Sequence, residues 1–235
     1  MDLTLPSPQE NLALDEALLE RCEHDGTEVL RFWESEEHFI VLGRAQRRSS
    51  DVPVAILEDS SLCVLRRISG GGTVLQGPGC LNYAVILQLD STPKLTDITG
   101  SNAFFLERNL RALQGVVKAP LCSDGVTDLA IEGRKFSGNA QRRGRRAVLF
   151  HGTLLYEFDL EIVEKALKLP EKQPAYREQR THRDFLINLD TDPASLKAAL
   201  TLEWNATSSL PEIPAAAVER LVEERYSRDE WNHRF

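Results

Sequence analysis

A short β-hairpin pattern in the second half of the chain places the strongest constraint on the fold. Residues 129–131 are apolar, the pair Glu132-Gly133 follows them, and residues 135–141 resume a strand-like run. A two-residue turn that ends in glycine is typical of hairpins, whose strands pair antiparallel. Five more segments have the length and the aliphatic or aromatic composition of strands: 29–33, 39–42, 63–67, 81–89 and 146–156.

Helical spacing of apolar residues alternates with these strands. It predicts helices at 11–21, 52–58, 96–117, 160–167, 196–202 and 215–226. Because hairpins favour antiparallel pairing, we predict an α+β fold with a mixed, largely antiparallel β-sheet flanked by helices, and not a doubly wound parallel fold. The 235 residues show no repeat and no long linker, so we expect one domain over residues 1–235.

Composition narrows the class of protein. Hydrophobic residues make up 42% and charged residues 27%, which is ordinary for a soluble globular protein. No apolar run reaches the roughly 18–20 residues of a membrane span, and the N-terminus lacks the features of a secretory signal. We therefore expect a cytoplasmic protein without membrane contact. The net charge of −8 argues against nucleic-acid binding, and four cysteines without CxxC spacing indicate reduced thiols.

Three consecutive glycines, Gly70–Gly72, follow the predicted strand at 63–67. A glycine backbone has no Cβ, so it can approach a ligand closely and point its amide N–H groups at anionic oxygens. Arg66 and Arg67 precede the glycines and are expected to add charge-assisted donors for a phosphate. The run matches neither the Walker pattern nor the dinucleotide-binding pattern. A flexible turn between strands is the alternative interpretation.

Two further stretches contain residues suited to acyl or phosphoryl chemistry. Lys135 follows the hairpin turn in an otherwise half-buried run, where a lysine can stabilise charge on a reacting carbonyl or phosphoryl oxygen. A surface lysine is the alternative. The small residues Ser137 and Gly138 permit close approach of the backbone to a ligand. His151 opens a His-Gly-Thr sequence that is weak evidence alone.

Taken together, these three stretches resemble the lipoate–protein ligase family in order and spacing. They read Arg-Arg-Ile-Ser-Gly-Gly-Gly-Thr-Val from residue 66, Gly-Arg-Lys-Phe-Ser-Gly-Asn-Ala-Gln from residue 133 and His-Gly-Thr-Leu-Leu from residue 151. The resemblance extends over nearly the whole chain. It implies the fold of the biotin/lipoate ligase catalytic domain. It also implies attachment of lipoate or octanoate to one lysine of a lipoyl carrier domain.

The resemblance also implies roles for single residues. Lys135 would contact both the acyl carbonyl and the α-phosphate, and Asp128 would bind Mg²⁺ or orient the incoming carrier lysine. ATP would activate the acyl carboxylate as an acyl-adenylate, and Mg²⁺ would screen the triphosphate. The residues implied in binding ATP, lipoate or octanoate, and the acyl-adenylate are Arg67, Gly70, Gly71, Gly72, Thr73, Val74, Leu75, Asn82, Ser137, Gly138, His151, Gly152 and Thr153.

The carriers implied are acyltransferase subunits of 2-oxoacid dehydrogenases or the glycine cleavage H protein. The chain departs from the family pattern in two places. Gln76 and Gly77 stand where many relatives carry a His-Asp pair, and the sequence stops at Phe235, where longer ligases continue into a small accessory domain. Three explanations stay open: the accessory part is a separate small subunit, it is dispensable, or adenylation is not the reaction.

The main alternative is an ATP-independent octanoyltransferase. Such enzymes take the acyl group from acyl carrier protein through a cysteine thioester. Cys122 lies 13 residues before Lys135, in the neighbourhood where the resemblance places that nucleophile. The transferases usually carry Gly-Gly-Arg where this chain has its triple glycine, so the sequence favours the ligase. A non-catalytic protein that binds the acyl-adenylate or the carrier domain is a second alternative, although it would have less need of Lys135.

Overall fold

Nine strands form two sheets in the part of the chain that the computed structural model describes, residues 1–58 and 62–235. The strands are β1 (Val29–Trp33), β2 (Phe39–Leu42), β3 (Cys63–Arg66), β4 (Val74–Gln76), β5 (Cys80–Gln88), β6 (Cys122–Asp124), β7 (Asp128–Ile131), β8 (Arg134–Arg143) and β9 (Ala147–Leu155). The larger sheet has the order β1-β5-β9-β8-β7-β6, and all its neighbours pair antiparallel. The smaller sheet has the order β3-β2-β4, with β2 parallel to β3.

Helices cover both faces of the larger sheet. They are α1 (Pro8–Asp25), α2 (Arg48–Asp51), α3 (Val54–Glu58), α4 (Ile98–Gln114), α5 (Leu160–Ala166), α6 (His182–Phe185), α7 (Pro193–Glu203), α8 (Ala215–Leu221) and α9 (Asp229–Asn232). The predicted α+β class with a mixed, largely antiparallel sheet is thereby confirmed. No helix of the described residues is long and apolar enough to cross a membrane.

The side chains of the central strands point alternately to the two sides of the larger sheet, so the core consists of two layers. On β5, Ala84 and Ile86 pack with α1 and α8, whereas Tyr83 and Val85 point to the opposite face, which α4 and α7 cover. Successive residues of a strand face opposite sides, and both sides of this strand are buried, so its sequence is apolar without interruption from Tyr83 to Leu87. The second sheet packs with α5 over a smaller core. The space between the two sheets is where the candidate site lies.

The predicted hairpin is confirmed as the pair β7–β8. Glu132 and Gly133 both have positive φ angles, 49° and 73°, as a two-residue hairpin turn requires. The register then shifts between Leu129 and Ala130, which places an extra residue on β8. Such a bulge redirects neighbouring side chains. Here it lies directly beside Lys135.

Several elements differ from the sequence predictions. The strands at 29–33 and 39–42 form as expected, but they belong to different sheets, so the chain crosses between sheets after Trp33. The helix predicted at 215–226 is α-helical only to Leu221 and continues as a π-helical turn, Val222–Tyr226. The three-residue strands β4 and β6 were not predicted, because so short a run carries no measurable alternation.

Arg66 has a different role from the phosphate donor that its sequence position predicted. Its side chain is fully buried and is absent from the described lining of the main cavity. The guanidinium donates to the backbone carbonyls of Gly43 and Gln46 and to those of Trp231 and Asn232, over 2.8–3.1 Å. It therefore fastens the C-terminal segment to the loop that follows β2.

We predict that Arg66→Met lowers the free energy of unfolding by about 3 kcal/mol, because several buried carbonyls lose their donor together. Urea denaturation measures the change. Arg145→Met is the matched control: Arg145 is exposed, so we expect a change within about 0.5 kcal/mol. Equal midpoints for the two variants would show that Arg66 does not hold these segments.

Candidate functional site

The main cavity, of about 490 Å³, lies between the two sheets. The loop from β3 to β4, the β7–β8 hairpin, the end of β9 and the segment after α5 line it. All of the sequence-predicted site residues except Arg66, Gly70 and Cys122 are among its lining residues. Those that line it are Arg67, Gly71, Gly72, Thr73, Val74, Leu75, Asn82, Asp128, Lys135, Ser137, Gly138, His151, Gly152 and Thr153. Their individual roles stay predictions.

Arg67 is buried beneath the glycine loop, which we define as residues 69–73, and it shapes that loop. Its Nη2 donates to the carbonyls of Gly70 and Gly72, at 2.6 and 2.8 Å, and its Nε donates to Ser69 Oγ at 3.0 Å. Burial lowers the pKa of Arg67 to about 10, so the guanidinium keeps its charge at neutral pH. Three of its donor contacts hold the loop itself, so Arg67 acts on a ligand chiefly through the loop.

The loop amides are free. Among the described residues, the N–H groups of Gly70, Gly71 and Gly72 donate to no protein acceptor, and all three glycines are exposed. Arg67 draws the Gly70 carbonyl to one side, so the Gly71 amide, which belongs to the same trans peptide, points the other way and is left for an anionic ligand. Gly71 has a φ of 85°, which favours glycine.

A glycine outside the motifs supports this loop. A Cβ on Gly43 would lie 1.9 Å from the carbonyl oxygen of Gly71, so the two backbones touch and only glycine fits. Gly43 directly follows the apolar strand 39–42, which is a sequence signal for a glycine of structural importance. The sequence analysis relied on the glycine triplet instead, so Gly43 was not predicted as part of the site.

Lys135 reaches across Gly138 to an acidic partner. Its Nζ lies 2.7 Å from Asp128 Oδ1, and a Cβ on Gly138 would lie 2.8 Å from that Nζ. The other oxygen, Asp128 Oδ2, accepts a hydrogen bond from Tyr176 Oη at 2.8 Å. Burial, together with the charge of Asp128, raises the pKa of Tyr176, so the phenol stays protonated and donates. The Lys135 side chain remains 23% exposed, which leaves its ammonium accessible from the cavity.

The geometry does not favour the predicted magnesium role of Asp128. Both carboxylate oxygens already have partners, Lys135 and Tyr176. Within residues 1–58 and 62–235, no group of three His, Cys, Asp or Glu side chains could hold a metal ion. Magnesium sites commonly use one or two carboxylates together with phosphate oxygens. The residues fit the orienting role better, and we derive no step through a metal.

Asn139 is a further residue that sequence reasoning missed. Its Oδ1 accepts from Tyr83 Oη at 2.5 Å, and its Nδ2 donates to the carbonyl of Thr127 at 2.8 Å. Gly152 makes room for it, because a Cβ there would lie 1.8 Å from Asn139 Oδ1. The contacts tie β8 to the turn that precedes Asp128.

The segment after α5 adds positive charge to the cavity. Lys168, Lys172 and Arg177 all line it. Lys168 is held to α2, since its Nζ donates to the carbonyl of Ser49 at 2.8 Å. The spacing of these three residues follows no motif, so their position at the site could not be predicted from the sequence.

Cys122 lies apart from this arrangement. It is exposed on the edge strand β6, and it is not among the described residues that line the cavity. It pairs with Ala130, which pairs in turn with Lys135. The backbones of Cys122 and Lys135 are thus two strand spacings apart, roughly 10 Å.

Residues 7–192 match the family profile described as the lipoyl protein ligase A/B catalytic domain. The chain belongs to this family. A probable lipoate–protein ligase A from Mycoplasma pneumoniae is 30% identical, over 98% of this chain and 70% of that protein. An octanoyltransferase LipM from an Exiguobacterium strain is 33% identical, over 71% of this chain and 68% of that protein.

The solved structures of the family agree with the fold. One is a bi-partite lipoate protein ligase studied with its E2 lipoyl domain, from Thermoplasma acidophilum. It superimposes with a TM-score of 0.82 at 22% identity, over 98% of this chain and 94% of that chain. The family profile and the curated relatives make this protein an enzyme of lipoyl or octanoyl transfer in protein lipoylation.

We predict that Lys135→Ala slows acyl transfer about 100- to 1000-fold, because removing one preorganised charge-assisted donor costs about 3–4 kcal/mol in the transition state. Single-turnover transfer to an apo lipoyl domain measures the rate. The control is Lys118→Ala, which removes an exposed lysine and should leave the rate unchanged. If Lys135→Ala keeps more than about half the wild-type rate, the assignment of Lys135 to the reaction is wrong.

Proposed function

We propose that this enzyme is an ATP-dependent lipoate–protein ligase. It activates lipoate or octanoate as the acyl-adenylate and transfers the acyl group to a specific lysine of a lipoyl carrier domain. One observation carries the proposal: the amides of Gly71 and Gly72, which donate to no acceptor among the described residues, and the ammonium of Lys135 belong to one cavity. A phosphate bound at the amides and an acyl carbonyl beside Lys135 are the two halves of an acyl-adenylate.

In the first step, an oxygen of the acyl carboxylate attacks the α-phosphorus of ATP. The bond from that phosphorus to the β-phosphate bridging oxygen breaks, so pyrophosphate leaves and the mixed anhydride forms. Negative charge grows on the phosphoryl oxygens as this happens. The loop amides and Lys135 are fixed donors that stabilise such charge without reorganising.

In the second step, the carrier lysine attacks the acyl carbonyl as a neutral amine. The amide bond forms, the bond from carbonyl carbon to phosphate oxygen breaks, and AMP leaves. An amine with a pKa near 10.4 must first lose a proton. We propose that Asp128 takes this proton: Lys135 would turn towards the adenylate phosphate and release Asp128 Oδ1, while Tyr176 holds the other oxygen. We assign Asp128 to orienting the incoming lysine and accepting its proton.

The carriers that we propose are acyltransferase subunits of 2-oxoacid dehydrogenases or the glycine cleavage H protein, and we propose a cytoplasmic location for the reaction. We treat residues 1–235 as one catalytic domain of the biotin/lipoate ligase type. A separate small accessory subunit for adenylation stays part of the proposal. The bi-partite organisation of the Thermoplasma acidophilum ligase supports it.

An ATP-independent octanoyltransferase is the second candidate, because a relative of that name is 33% identical to this chain. In that reaction the Cys122 thiolate attacks a carrier thioester, the carrier thiol leaves, and the lysine amine attacks the resulting acyl-cysteine. The position of Cys122 on the edge strand, outside the described cavity lining, favours the ligase instead.

Cys122→Ser separates the two candidates. We predict that this variant keeps most of its activity with lipoate, ATP and Mg²⁺, because no covalent enzyme intermediate forms on the ligase route. Mass spectrometry of an apo lipoyl domain follows the transfer. Cys63→Ser is the matched control, since Cys63 is the other exposed cysteine of the described chain.

A parallel reaction replaces lipoate and ATP with octanoyl acyl carrier protein. The ligase proposal is wrong if this donor acylates the lipoyl domain without ATP, the enzyme gains an octanoyl mass, and Cys122→Ser abolishes both. Serine is a far weaker nucleophile than cysteine at neutral pH, so the loss would be large.

A further inference from the structure

A chain of polar side-chain contacts runs from helix α1 to the glycine loop. Asp15 on α1 is 3% exposed, and its Oδ2 lies 3.5 Å from His151 Nδ1 on β9. The other ring nitrogen, Nε2, lies 2.6 Å from Ser69 Oγ. Ser69 Oγ in turn accepts a hydrogen bond from Arg67 Nε at 3.0 Å. These four side chains thus connect helix α1, strand β9 and the glycine loop.

The contacts allow a consistent arrangement of protons. The Ser69 hydroxyl accepts from Arg67 Nε and can donate its single proton to His151 Nε2. In that tautomer the ring carries its proton on Nδ1, the nitrogen that faces Asp15 Oδ2. A carboxylate that faces one ring nitrogen fixes both the tautomer and the orientation of a histidine.

Asp15, at one end of this series of contacts, is held rigidly. Asp15 Oδ1 accepts from Arg31 Nη1 at 2.5 Å, and Arg31 also donates to the carbonyl and to the side-chain oxygen of Asn11. Burial alone would raise the pKa of Asp15, but Arg31 and His151 outweigh that effect and keep this pKa below its usual range. Asp15 is therefore a charged, immobile acceptor for the histidine.

Ser69, at the other end of the series, holds the glycine loop. Ser69 is 1% exposed and is not among the described lining residues, so its hydroxyl holds the backbone and does not touch a ligand. Its carbonyl accepts from the amide of Arg44 at 2.8 Å. The opposite end of the loop has a separate anchor, since Thr73 Oγ1 donates to Asp51 Oδ2. Two independent tethers thus hold the glycine loop at its two ends.

We propose that Asp15 is a positioning residue for the glycine loop, acting through His151 and Ser69 on the placement of the loop amides. The inference rests on the proposed function in one respect, that these amides bind the phosphate of the acyl-adenylate. It assigns a functional consequence to a residue of the first helix that makes no hydrogen bond or ion pair with the loop in the described part of the chain. Asp15 and Ser69 share one partner, His151, and no direct contact is found between them in the described structure.

A double-mutant cycle tests this coupling. Ser69→Ala, Asp15→Asn and the double variant are compared by calorimetry with a non-hydrolysable acyl-adenylate analogue. We expect each single variant to weaken binding roughly tenfold, and the double variant by little more than either one, because each breaks the same chain. The matched control is a second cycle that combines Asp15→Asn with Thr73→Val. Thr73 anchors the loop through a separate contact, so the fold-changes in affinity of the two single variants should multiply in the double variant.

The amide of Arg44 gives a readout that needs no ligand. Since this amide donates to the Ser69 carbonyl, its hydrogen exchange measured by NMR should accelerate in Ser69→Ala and in Asp15→Asn. The amide of Leu89, which donates to the carbonyl of Arg146, should be unaffected in both. A purely structural effect of Asp15 would instead change both amides along with the urea midpoint.

The outcomes are distinct. Multiplied effects in the Asp15–Ser69 cycle, or an unchanged Arg44 amide, would overturn the positioning role. If the wild-type protein does not bind the analogue at all, the proposed function fails, and the exchange data alone then decide the role of Asp15. If Asp15→Asn does not fold, His151→Gln takes its place in the cycle with Ser69→Ala, and the same two criteria apply.

Discussion

The site depends on one buried guanidinium, that of Arg67, which has no carboxylate partner within residues 1–58 and 62–235. Arg67 satisfies its donors with the carbonyls of Gly70 and Gly72 and with the hydroxyl of Ser69. A buried charge is tolerated only when its hydrogen bonds are made, so Arg67 and the loop conformation require each other. The consequence is a loop whose carbonyls point inward and whose amides stay free. Glycine is required at position 71, because Gly71 has a positive φ and its carbonyl lies against Gly43, whereas a Cβ at Gly70 or Gly72 would meet nothing within 4 Å.

The sequence predicted the strongly patterned parts of this structure. The hairpin with Glu132 and Gly133 was predictable because only a two-residue turn fits between two apolar runs, and the motif residues do meet at one cavity. Arg66 was assigned to phosphate binding because it adjoins Arg67, although successive strand residues face opposite sides and the two side chains could not both reach the site. Tyr176 and Asp15 were missed because their contacts with Asp128 and His151 join distant parts of the chain, which no local pattern reports.

Lys135 and Asp128 form a pair that can serve both steps of the proposed reaction. While they are bound to each other, neither charge is left uncompensated in a half-enclosed cavity. In the proposed reaction, an anionic acyl-adenylate would attract Lys135, and the incoming lysine would meet the released Asp128. Tyr176 would stay on Asp128, because burial and the neighbouring carboxylate raise the pKa of Tyr176 and keep its phenol protonated. Gly138, which pairs with Asp128 beside the bulge, leaves room for the Lys135 ammonium, since a Cβ there would lie 2.8 Å from Lys135 Nζ.

The most direct measurement supplies the enzyme with preformed lipoyl-adenylate and an apo lipoyl domain, without ATP or any accessory subunit, and follows the mass of the domain over time. This isolates the central claim, that the acyl-adenylate is the acyl donor. The account predicts that the domain gains one lipoyl group far faster than in the absence of enzyme, and that the enzyme gains no acyl mass. Transfer no faster than the uncatalysed reaction, together with ready transfer from octanoyl acyl carrier protein through an acylated Cys122, would contradict it.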